Sequence, residues 1–99
     1  PKRKIIQMPA LEVEYRNAAL RVELDSNRSA RLFINNIQRM HESLTPLSGT
    51  LRLSSSVQTD YEWHEFIEAI VTYDETETTV VLNASNAEIA RETYSNRSN

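Results

Sequence analysis

The chain has 99 residues and a net charge of −3, with 39% hydrophobic and 25% charged side chains, enough for one modest core but not for a second domain. It has no cysteine, which excludes disulfides, thiolate metal sites and a cysteine nucleophile. No run approaches the ~20 apolar residues of a membrane helix, no signal-peptide pattern opens the chain, and the acidic balance counts against a general nucleic-acid binder. A cytoplasmic protein, free of membrane and nucleic acid, is the expectation.

Residues 1–8, with the basic cluster Lys2-Arg3-Lys4, read as a flexible tail. Apolar and polar residues then alternate, Leu11, Val13 and Tyr15 against Glu12, Glu14 and Arg16, which is the pattern of a half-buried strand. Leu20, Val22 and Leu24 repeat it. A two-residue turn at Asn17-Ala18 would set Tyr15 opposite Leu20, Val13 opposite Val22 and Leu11 opposite Leu24. That register pairs Glu14 with Arg21, and less favourably Glu12 with Glu23.

Asp25 to Ser29 is rich in turn formers, whose side chains hydrogen-bond their own backbone. Arg31-Leu32-Phe33-Ile34 reads as a third strand and Asn35-Asn36 as a tight turn, because asparagine tolerates positive φ. Ile37 to Glu42 returns as a weaker strand with Ile37 and Met40 to bury. Thr45 to Gly49 is a loop holding the only glycine. Strand character resumes over Thr50 to Leu53 and trails to Val57.

Thr59 to Tyr73 supports two readings. As a strand, Tyr61, Trp63, Ile67, Ala69, Val71 and Tyr73 share one face with Glu65 among them. As a helix, Trp63, Phe66, Ile67 and Ile70 line up, behind a capping box at Thr59 to Glu62. The β-formers from Ile67 run on through a turn at Asp74 to Glu77 into Thr78 to Leu82, which is a hairpin signature and favours the strand. Asn83 to Asn86 is a turn, Ala87 to Arg91 a last short strand or helix, and residues 95–99 a polar tail. About seven short strands separated by turns define an all-β fold, an antiparallel β-sandwich or small barrel in a single domain. The fallback is α+β with a helix near residues 60–70. No internal repeat of fixed period is visible.

The charge is unevenly spread. Residues 1–52 hold nine Lys and Arg against five Asp and Glu, a balance of +4, while residues 53–99 hold two against nine, a balance of −7. The simpler expectation is that the two halves interleave in space and their charges pair locally. The sharper one is a basic face that meets an acidic face of another copy, as in a dimer.

Asp60-Tyr61-Glu62-Trp63-His64-Glu65 is the densest stretch for chemistry. On a strand, Asp60, Glu62 and His64 project together, and with His41 they form a weak metal-ligand set, although no HExxH spacing occurs. Tyr61 and Trp63 read as core aromatics. On an open face they would stack on a carbohydrate or small polar ligand, with Glu62, His64 and Glu65 beside them. Glu65 falls on the apolar face. There it needs a partner, such as an arginine from residues 16 to 52, or a β-bulge that turns it outward. With one glycine there is neither a GxSxG elbow nor a phosphate-binding loop, so no catalytic residue and no cofactor is assigned. The leading expectation is a non-catalytic domain that self-associates or binds a protein partner. A ligand-binding β-domain comes second and a metal-dependent enzyme third.

Overall fold

Apolar–polar alternation with short polar breaks gives strands joined by tight turns. In the computed structural model, which describes residues 10–25, 28–46, 48–60 and 63–95 (backbone alone at Thr59, Asp60 and Trp63), it gives eight strands rather than seven. They are β1 (Ala10–Tyr15), β2 (Ala18–Asp25), β3 (Ser29–Ile34), β4 (Ile37–Ser43), β5 (Gly49–Asp60), β6 (Trp63–Tyr73), β7 (Glu77–Ala84) and β8 (Ala87–Ser95). No helix occurs among the described residues. β1 to β4 form one antiparallel meander, sheet A, and β5 to β8 a second, sheet B. Their inner faces pack together as a sandwich 19 Å thick, as two layers about 10 Å apart require. Val22, Leu32 and Ile34 from sheet A meet Leu53, Ile67, Ala69, Val71, Val80 and Leu82 from sheet B in a core closed to water.

Among the described residues three turns have two consecutive residues in left-handed backbone, namely Arg16-Asn17, Asn35-Asn36 and Ser85-Asn86, and Arg28 before β3 is left-handed as well. A two-residue turn with both φ positive matches the right-handed twist of the strands it joins, and asparagine occupies the second position each time. The first of these lies one residue earlier than the spacing suggested. The β1–β2 ladder is therefore shifted by two, pairing Tyr15 with Ala18, Val13 with Leu20 and Leu11 with Val22. A slip of two keeps every side chain on its face. It also replaces the like-charged Glu12–Glu23 pair by Glu12 opposite Arg21.

Other expectations change in detail. Ile37 is 60% exposed because it lies on an edge strand just beyond the turn, and only Met40 of β4 packs against the core. The last strand runs to Ser95, which pairs with Glu77, while residues 1–9 and 96–99 lie outside the described residues. The single glycine, Gly49, sits at the crossover between sheets with φ of 150°. A Cβ there would come within 3.1 Å of the Leu44 side chain, so the tight entry into β5 demands glycine.

The two sheets repeat one plan. Leu11 paired with Val22 corresponds to Leu53 paired with Ala69, and Leu20 paired with Ile34 corresponds to Ile67 paired with Ala84. Both third-to-fourth ladders carry a bulge at the same place, skipping Arg39 in β4 and Ile89 in β8. In both, the first turn residue donates its N–H across to the second strand at 2.8 Å, Asn35 to the Ala19 carbonyl and Ser85 to that of Phe66. The offset between equivalent residues grows along the chain because the hairpins of sheet B are longer, so the sequence shows no fixed period. The halves do not interleave; the charge boundary falls within β5, a few residues past the crossover between the sheets.

Candidate functional site

The stretch Asp60 to Glu65 is divided by the fold. Tyr61 and Glu62 lie outside the described residues, as do the side chains of Asp60 and Trp63, whose backbones pair with each other beyond a register shift at Gln58. His64 is exposed on the outer face of sheet B, opposite Gln58. His41 is exposed on the outer face of sheet A, opposite Arg31. The two outer faces point away from each other, so the histidines are not brought together. Among the described residues no three His, Asp or Glu side chains are grouped to hold a metal ion.

Glu65 takes the inward position that strand alternation gives it, opposite Val57, with no bulge to rotate it out. It is 3% exposed. Its carboxylate accepts from the Ser85 hydroxyl in the β7–β8 turn and from the Tyr15 hydroxyl of β1 at 3.5 Å. Arg16, in the β1–β2 turn, places its Nε 3.8 Å away. The arginine comes from the expected range, and the three partners come from both sheets. A buried carboxylate is tolerated only when hydrogen-bonded and charge-compensated. Only the Glu65 carboxylate is closed to solvent, Arg16 being 57% exposed and Ser85 at the surface, and the cluster links the two sheets as a clasp at this end.

At the opposite end the Tyr73 hydroxyl donates to the Ser29 carbonyl across the sandwich at 3.3 Å. Burial pushes the Tyr73 phenol up to about 12; the Asp25 carboxylate adds to the rise and the Arg28 guanidinium opposes it.

A different region holds open chemistry. On sheet A a hollow of about 320 Å³ is lined by Glu12, Val13, Glu14, Ala19, Leu20, Arg21 and Asn36. Its floor is low because Ala19 stands where sheet B has Phe66. Arg21 is held away from Glu12: it stacks on the Phe33 ring at 4.3 Å and donates to Glu23 at 2.9 Å and to Asn36 at 3.1 Å. Glu12 and Glu14 are exposed and make no hydrogen bond or ion pair among the described residues. Sequence reading missed this place because it put Glu14, rather than Glu12, opposite Arg21. The usable signal was the two glutamates of β1 beside a small residue.

The outer faces differ in kind. Sheet A carries an ion-pair chain in which Arg31 reaches both Glu23 and Asp25. Sheet B carries a row of four threonines, Thr50, Thr72, Thr79 and Thr93, beside Ile70 and Val81. Residues 10–43 hold five arginines against five acids, whereas residues 49–95 hold two against nine. Comparison with protein-family models, with curated proteins and with solved structures finds no match to this chain.

Proposed function

We propose that this protein is a non-catalytic interaction domain of the cytoplasm, working through self-association or through a protein partner. The observation that supports this reading is the edge of sheet A. β1 is an edge strand whose outward backbone groups have no ladder partner among the described residues. Its inward side chains Leu11, Val13 and Tyr15 are only half-buried. β4 and β5 lie side by side and close one flank of the sandwich, with Arg39 donating to the Ser55 hydroxyl at 3.3 Å, but β1 and β8 make no comparable approach. An edge with unsatisfied backbone and apolar residues behind it is a template for another strand.

Light scattering over a range of protein concentration, at low and high salt, tests the self-association arm. A dimer supports it. A monomer throughout removes it and leaves partner binding, which amide NMR on addition of a strand-forming peptide then tests. A monomer whose amides respond to no peptide would overturn the proposal.

A further inference from the structure

We infer that the β1 edge takes an extended, lysine- or arginine-bearing segment of a partner protein, which adds beside β1 as a further strand of sheet A and sets its basic side chains against Glu12 and Glu14. The inference rests on the interaction-domain reading and names the edge and the chemistry of the partner.

The internal repeat acts as a control, because features that the meander itself requires occur in both sheets. Four strands border the two sheets. β4 and β8 each carry a bulge, which bends an edge away from regular pairing, and β5 is flanked by β4. β1 has none of these protections. It is unbulged over Ala10–Tyr15, contains no proline and no lysine or arginine, and has no strand on its free side among the described residues.

The charges on this edge are likewise peculiar to sheet A. By register, Glu12 and Glu14 correspond to Ser54 and Ser56 of β5, and Ala19 corresponds to Phe66. Sheet B thus has neutral hydroxyls and a large ring where sheet A has two carboxylates and a hollow. Arg21 is the one cation directly opposite either carboxylate, and Phe33, Glu23 and Asn36 already hold it. A strand laid along β1 would put its outward side chains over Glu12 and Glu14 and its inward ones beside Leu11, Val13 and Tyr15. Alternating basic and apolar residues satisfy both faces.

A second copy is a poor occupant. In an antiparallel β1–β1 pair outward residues face outward residues, so glutamate meets glutamate, and like charges directly opposite are destabilising. Opposite charge on a foreign strand removes that penalty and steers the encounter.

The test uses the full chain, isotope-labelled, titrated with a synthetic peptide of alternating lysine and valine and, separately, with its glutamate–valine counterpart. Amide shifts centred on residues 10–15 with the basic peptide, fading as salt is raised, are expected. The double variant Glu12→Lys, Glu14→Lys is expected to lose about tenfold or more in affinity and to turn toward the acidic peptide. Both sites are exposed, and an unchanged melting curve verifies the fold. Glu12→Gln, Glu14→Gln gives a milder loss that needs no charge reversal. Shifts at another edge, equal response to both peptides, or a β1-paired dimer would overturn this inference while the interaction-domain reading stands. No response to either peptide in a salt-independent monomer would overturn both.

Discussion

The two sheets are built on the same ladder and put it to different uses. Sheet A spends its outer face on a self-contained chain of ion pairs through Arg21, Glu23, Arg31 and Asp25, and leaves two glutamates on its free edge. Sheet B covers its outer face with threonines and β-branched residues around the Arg52–Glu68 and Arg91–Glu88 pairs. Among the described residues its one buried carboxylate is Glu65, where the register of sheet A has Ala18. Each sheet closes its tight turns in the same way, with Asn36 and Asn86 in left-handed backbone at equivalent positions. Backbone plan and side-chain use are thus separable: register and turns are common to both sheets, and charge is specific to one.

Equivalent core positions give the largest expected effects. Leu32→Ala and Leu82→Ala each remove a fully buried side chain from matched places and should cost about 2–5 kcal/mol apiece, since transfer and cavity terms add. Urea denaturation should show similar losses in a single transition. One sheet unfolding ahead of the other would break the equivalence.

Glu65→Ala tests a difference between the sheets. It installs the residue that sheet A has at this position, yet it leaves the Tyr15 and Ser85 hydroxyls without their carboxylate acceptor. A loss of about 1–3 kcal/mol by chemical denaturation is expected, because hydrogen bonds to a charged acceptor contribute on that order. A neutral or stabilising result would show that the clasp adds nothing over a plain alanine.

Tyr73→Phe probes a rung seen among the described residues only in sheet B, Tyr73 paired with Thr78. Loss of the bond to the Ser29 carbonyl should cost about 1 kcal/mol at neutral pH. The folded phenol ionises near 12 and the unfolded one near 10, so the folded state favours the protonated form. That stability is present below pH 10 and is lost as pH rises toward 12. Melting temperatures recorded from pH 8 to 12 should fall more steeply above pH 10 in the parent than in the phenylalanine variant. Parallel curves would assign the alkaline loss to other groups.

Alternation was enough to read β1, β2, β3 and the hairpin of β6 and β7, because a half-buried strand writes its two faces into successive residues. The contest between helix and strand after Thr59 was decided by pairing at a distance. Leu51 opposite Val71 and Ile67 opposite Ala84 tie this segment into a sheet through partners 20 and 17 residues away. The inward Glu65 was legible as an anomaly, and its need for an arginine followed from the cost of burying a charge. That the arginine is Arg16, and that Tyr15 and Ser85 join it, depended on how the turns of two sheets meet. That Glu12 stands opposite Arg21 was hidden by a turn expected one residue too late, and that β1 is an open edge depended on the strand order.

The sequence by itself determined the all-β class, the positions of most turns and the inward face of nearly every strand, since period-two patterning and the backbone tolerance of asparagine are local properties. Tertiary structure alone decided that the chain divides into two like meanders, that the described part of the acidic half falls within one sheet, and that β1 is left as the unguarded edge. Those outcomes depend on strand order and on which faces meet. They are fixed by burial of a shared core between residues far apart in the chain.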